Sequence, residues 1–123
     1  MSQQKRILII DDDMHHLADA KRCLQTQGYA VSIHERPADS PVVMRYLDPD
    51  IVLLNVGMHD MSEDKLSYLL SANRQAKEIP VVFYSSYDEE SLRQAVTRHG
   101  AKGYICKGDI SRLYDKVRCF LPR

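Results

Sequence analysis

Arg6-Ile7-Leu8-Ile9-Ile10-Asp11-Asp12-Asp13 decides the reading of this chain, because an unbroken aliphatic run stops abruptly in a cluster of acids. A run without apolar–polar alternation predicts a strand covered on both faces, as in a parallel sheet. Carboxylates directly after such a strand are costly unless a cation or hydrogen bonds compensate them. Asp11 and Asp12 therefore read as a pair able to hold Mg²⁺, a hard ion satisfied by a few carboxylates and several waters. Asp13 reads instead as the cap of the helix that follows.

Outward from this run, Asp50–Leu54, Pro80–Tyr84 and Gly103–Lys107 are equally short, apolar and bounded by turn signals, and Ala30–His34 is a weaker strand. Stretches of helical spacing separate them. Leu17, Ala20 and Leu24 mark the first, with Gly28 as its C-terminal cap. Pro41 opens the second, with Ser40 as N-cap and Val43, Met44 and Leu47 facing inward. Leu66, Leu69, Leu70 and Asn73 mark the third. Asp88 or Ser86 caps the fourth, which carries Leu92, Ala95 and Val96 and stops at Gly100. Asp109 caps the fifth, whose buried stripe is Leu113, Val117 and Phe120. Five alternations of strand and helix predict an α/β doubly wound sandwich, since parallel neighbours need crossover helices.

At 123 residues, 44% of them hydrophobic, the chain has the size of a single domain over 1–123. Seventeen basic residues balance seventeen acidic ones, which argues against nucleic acid and anionic membrane as partners. Cys23, Cys106 and Cys119 are an odd set without metal-site spacing and read as reduced thiols, Cys106 as a small buried hydrophobe. The start, Met1 to Arg6, is short and polar, and no apolar run approaches the ~20 residues of a membrane span. A cytoplasmic location follows as the expectation.

In doubly wound sheets the functional crevice lies at the carboxyl ends of the strands. Asn55 ends the third strand, Ser85 and Ser86 the fourth and Lys107 the fifth, so a carboxylate pair, an amide, a hydroxyl and an ammonium converge. The runs Ile7-Leu8-Ile9-Ile10-Asp11-Asp12, Asp50-Ile51-Val52-Leu53-Leu54-Asn55-Val56-Gly57-Met58, Pro80-Val81-Val82-Phe83-Tyr84-Ser85-Ser86 and Gly100-Ala101-Lys102-Gly103-Tyr104-Ile105-Cys106-Lys107 resemble the receiver domains of two-component response regulators, in order and over nearly the whole chain. The resemblance implies a flavodoxin-like (βα)5 fold with a five-stranded parallel sheet. It implies that Asp11 and Asp12 hold the metal with the backbone carbonyl of Gly57, that Ser85 contacts a phosphoryl group, and that Lys107 is its charge partner. Tyr104 matches the aromatic switch position, and Asn55 falls on the phosphate acceptor.

That asparagine departs from the family, because an acyl phosphate forms only when a carboxylate oxygen attacks phosphorus. A neutral amide also removes a charge beside the metal, so Mg²⁺ affinity should fall and Lys107 should lean on the acidic pair. Other departures cluster nearby: His59 follows Met58, Ser62-Glu63 replaces the usual Asp-Gly, and Gly108 follows Lys107. Such clustering favours an atypical pseudo-receiver over a conventional phospho-receiver with one engineered Asp-to-Asn change. His15, His16 and His59 also suggest a transition-metal site, against the simpler reading as exposed polar side chains.

The function implied is signalling by protein–protein contact, not catalysis. The expected docking face joins the fourth helix, fifth strand and fifth helix, around Leu92, Gln94, Arg98, Tyr104, Arg112 and Tyr114, with a histidine kinase or an output domain as partner. A competing class is a small haloacid-dehalogenase-like metal-dependent phosphatase built on Asp11-x-Asp13, a serine and a lysine. The chain is short for that class, and no second acidic pair follows Lys107.

Overall fold

The computed structural model describes residues 4–36, 39–57, 61–108 and 110–121. The elements run β1 (Arg6–Ile10), α1 (Met14–Thr26), β2 (Ala30–His34), α2 (Ser40–Leu47), β3 (Ile51–Leu54), α3 (Glu63–Ala76), β4 (Val81–Ser85), α4 (Glu89–His99) and β5 (Gly103–Cys106). A 3-10 turn at Ile110–Arg112 then leads into α5 (Leu113–Phe120). All strand pairs are parallel, in the order β2-β1-β3-β4-β5. This is the flavodoxin-like doubly wound order.

Strand residues alternate between two apolar layers, which is why the sequence itself shows no alternation. Leu8, Ile10, Val52, Leu54, Val81 and Phe83 pack under α2, α3 and α4. Ile7, Ile9, Ile51, Leu53, Val82, Tyr84 and Ile105 pack under α1 and α5. Four strand boundaries move by one residue. Asp50 stays outside β3 and accepts the Arg6 N–H on its carboxylate at 2.7 Å. Pro80, which has no N–H to give a ladder, precedes β4 and contributes only its carbonyl to Val52. Ser85 joins β4, while Lys107 follows β5.

Gly100 is the left-handed C-cap of α4 as expected, whereas the C-cap of α1 is Gln27 and the left-handed Gly28 follows it. Gly28 (φ 95°) donates to Gln25 and Gly100 (φ 75°) to Val96. Asp88, not Ser86, caps α4, its carboxylate accepting the Ser91 N–H at 2.7 Å. The expectation for Ser40 is corrected. Asp39 occupies the N-cap of α2 without a side-chain bond, and Ser40 lies inside the helix, fully buried, its hydroxyl turned to the Arg36 carbonyl. Burial in the first turn of α2 directs the Ser40 hydroxyl backwards instead of onto the free N–H groups. Asp109, read as the last cap, lies outside the described residues, as do Met58 and His59. Among the described residues no helix is long and apolar enough to cross a membrane.

The end of α5 seals the β5 edge. A Cβ built on Gly103 would stand 2.5 Å from a ring carbon of Phe120, so glycine lets the ring lie directly on the strand backbone. Gly103→Ala is expected to cost about 1–3 kcal/mol through overpacking. Urea denaturation checks this, and Phe120→Leu in the same chain should return part of the loss.

Candidate functional site

β1 sends its chain to α1 on one face of the sheet and β3 to α3 on the other, which opens a crevice at their carboxyl ends. Asp11 and Asp12 follow β1, Asn55 follows β3, Ser85 closes β4 and Lys107 follows β5. The sheet gathers most of these side chains in one place. Asn55 donates its amide N–H to Asp11 Oδ1 at 2.8 Å, and the Lys107 ammonium stands 2.5 Å from Asp11 Oδ2. The Lys107 N–H donates to the Ser85 carbonyl at 2.7 Å, which ties the loop after β5 to the end of β4. Asp11 is fully buried, Asn55 and Ser85 nearly so, and the Lys107 side chain is 8% exposed. A charge pair that dry must be well matched to persist.

The orientation of the Asn55 amide is dictated by its neighbours. Its oxygen accepts the Gly57 N–H at 2.8 Å, whereas Asp11 can only accept. Turning the amide over would set donor against donor at Gly57 and acceptor against acceptor at Asp11. The Asp13 N–H adds a third donor to Asp11, at 3.1 Å to Oδ1. N–H donors thus engage both oxygens of Asp11 and the amide oxygen of Asn55. This arrangement fits a magnesium ion poorly, since a hard cation needs oxygen lone pairs that are here directed at N–H groups. Asp12 is exposed at the rim, and Asp13, also exposed, caps α1 by accepting the His16 N–H.

Ser85 points its hydroxyl into local backbone, accepting the Tyr87 N–H at 3.2 Å. Tyr104 is tethered to α4: its hydroxyl donates to Glu89 Oε1 at 2.7 Å. That bond, with burial second, pushes the phenol above its ordinary value. The docking residues read from the sequence separate in space. Leu92 is fully buried in the core. Gln94 and Arg98 line a groove between α3 and α4, and Tyr114 stacks on Tyr29, its ring centre 5.7 Å away. The surface joining α4, β5 and α5 is lined instead by Glu89, Tyr104, Cys106, Lys116, Cys119 and Phe120. Cys106 is half-buried there, not fully enclosed.

Two aromatic groups escaped notice in the sequence, Tyr84 because it looks like ordinary strand filling and Tyr87 because it lies in the turn after β4. Tyr84 is buried at the end of β4, its hydroxyl paired with His16 Nε2. The Lys107 ammonium lies 5.5 Å from the centre of the Tyr84 ring. Tyr87, the second, lies against Gly57. Burial, and then the Asp11 charge, raises the Tyr84 phenol far above its ordinary value. Burial, and then Lys107, holds the His16 imidazole below its usual range.

A depressed imidazole means that the unfolded chain takes up the proton first. The contribution of His16 to stability is therefore complete above about pH 6.5 and declines as pH falls below that value. Urea denaturation between pH 7.5 and 5.5 should show this decline, and His16→Gln should flatten it. His16 turns to Tyr84 and His15 is exposed, while His59 lies outside the described residues. Among the described residues no group of three or more His, Cys, Asp or Glu side chains is placed to hold a metal.

The model of the response regulator receiver domain family matches residues 7–118. The chain belongs to that family. The receiver is 28% identical to the protein PilH of Pseudomonas aeruginosa over 102 residues, 83% of this chain and 84% of PilH. It is 30% identical to the transcriptional regulatory protein CreB of Escherichia coli, covering 98% of this chain and 52% of CreB. It is 32% identical to KdpE of Staphylococcus aureus, also a transcriptional regulatory protein, over 94% of this chain and 49% of KdpE. The receiver thus spans most of PilH but about half of the two transcriptional regulators. In fold it matches the chemotaxis response regulator CheY4 of Vibrio cholerae, with a TM-score of 0.82 at 18% identity over 97% of this chain and all of that one. The N-terminal domain of the nisin resistance regulator NsrR superposes with a TM-score of 0.80 at 24% identity, over 98% of this chain and 100% of that domain. The family match does not favour the phosphatase reading. Receiver domains serve signalling, generally with Mg²⁺ at the phosphorylation site, between histidine kinases and output domains.

Proposed function

We propose that this receiver signals without an aspartyl phosphate. The observation that carries the reading is the Asn55 amide, which donates to Asp11 at 2.8 Å from the place of the acceptor. An amide oxygen is a poor nucleophile, and this one already accepts from Gly57. Lys107, deprived of an anion at position 55, pairs with Asp11. The result is a polar network complete in itself, with Mg²⁺ affinity weakened by the missing carboxylate. Asp11, Asp12 and the Gly57 carbonyl remain as the residues a metal would use, and Ser85, Lys107 and Tyr104 as the switch group.

In a two-state receiver a bound phosphoryl group biases the equilibrium by its differential contacts. Here the bias comes from a protein partner on the surface joining α4, β5 and α5, where Tyr104 is fastened to Glu89. A histidine kinase or an output domain is the expected partner, and nucleic acid and membrane are not. Incubation with Mg²⁺ and acetyl phosphate followed by intact mass tests the proposal. The protein should gain no acid-labile phosphate, and Asn55→Asp should acquire the capacity. Labelling of the unaltered chain, removed by substituting a residue other than Asn55, would defeat it.

A further inference from the structure

We infer that the outer face of α2 and α3 is an interface on which a second copy of this chain docks. Among the described residues five large hydrophobic side chains stand exposed, and three of them lie here: Val42 (70% exposed) and Tyr46 (80%) on α2, and Tyr68 (69%) on α3. Val42 and Tyr46 are four residues apart and so adjoin on the helix surface. Tyrosine suits such a face, since its ring gains from burial while its hydroxyl tolerates water. Single exposed apolar residues need no explanation, but three gathered on two neighbouring helices do.

The same two helices also offer a recess. Ala72 and Ala76 continue from Tyr68 at four-residue spacing along α3, and side chains that small leave a hollow of about 70 Å³ between the helices, walled on the α2 side by Pro41, Met44 and Arg45. The hollow is shallow and takes the edge of a ring. Projecting rings and a receiving hollow on one face are what a twofold contact requires, because each subunit must present the same patch to the other.

The charges favour the same occupant. Asp39 and Arg45 lie three residues before and after Val42, and Asp64 and Lys65 lie one turn before Tyr68; all are exposed. Among the described residues none of these four is held in an ion pair. A strongly acidic or strongly basic partner would meet two like charges here. A second copy brings two of each sign and can match them.

Docking there leaves the far side of the molecule open. The surface joining α4, β5 and α5 lies at the opposite edge of the sheet from β2, so a dimer would display it twice, and a partner with two receiving sites would gain effective concentration without any phosphate. That consequence rests on the proposed docking surface. Dimerisation itself does not, so the two readings fail separately.

Sedimentation velocity of the intact chain over a range of concentrations tests the inference. A reversible monomer–dimer equilibrium is expected. Tyr46→Ala and Tyr68→Ala should each weaken it about tenfold or more, the effect of truncating an anchor residue. Arg45→Glu, which upsets the balance of charge, should weaken it too. Met14→Ala, an exposed apolar residue on α1, should leave it unchanged. A chain still monomeric at about 1 mM would overturn the inference, since any smaller dissociation constant would show as dimer. So would a dimer that Tyr46→Ala, Tyr68→Ala and Arg45→Glu all leave intact. NMR of the unaltered chain needs no variant: on dilution the amide signals of α2 and α3 should shift, and shifts confined to α4, β5 and α5 would place the contact elsewhere and refute this one.

Discussion

Lys107→Met is expected to remove about 3–5 kcal/mol of folding stability, because it strands a buried carboxylate. Asp11 is fully buried and the Lys107 side chain is 8% exposed, so water cannot replace the ammonium at 2.5 Å. The amide N–H groups of Asn55 and Asp13 soften the loss without neutralising the charge. Adding Asp11→Asn to Lys107→Met should recover most of the deficit, since the anion disappears along with its partner. Urea denaturation of the three variants at neutral pH measures both effects. A deficit under about 1 kcal/mol would place the pair with surface salt bridges and contradict its burial.

Asn55→Asp is expected to make stability depend on magnesium. In the Asn55 chain the amide gives Asp11 Oδ1 a donor at 2.8 Å; a carboxylate in its place withdraws the donor and sets two anions together. The lost bond alone costs about 1–3 kcal/mol, and like-charge repulsion adds to it. The carboxylate also restores the oxygen donor set that a hard cation needs. Magnesium at a hundred times its dissociation constant would return about 2.7 kcal/mol, or roughly 3–5 °C in Tm per kcal/mol for a domain of this size. The same magnesium should leave the unaltered protein's Tm within about 1 °C. Thermal unfolding with and without the ion, on both proteins, decides the matter. A large magnesium shift in the Asn55 protein would show that Asp11 releases its donors to a metal after all.

The fold was legible because its signals are local and repeated. Ile7 to Ile10 must be covered on both sides, and Gly28 and Gly100 stop helices where no other residue would do so cheaply. The positions of Asp11, Asn55, Ser85 and Lys107 were legible for the same reason, since a residue just after a buried parallel strand has one end of the sheet to occupy. The docking residues were less so. Helical spacing gives a stripe but not its neighbour, so Leu92 was placed on the docking face although α4 turns it into the core, and Tyr114 was placed there although it meets Tyr29. Ser40 misled because serine beside proline is a cap signal, whereas α2 begins one residue earlier and buries the hydroxyl.

The amino-acid order by itself determined the five-strand parallel architecture and the neutral side chain at position 55, since both follow from residue type and spacing. Only the tertiary structure decided which hydrogen bonds that amide makes and that Tyr84 and Tyr87 belong to the crevice. These depend on directions and distances between groups far apart in the chain, and such relations arise only when separate strands are brought into register.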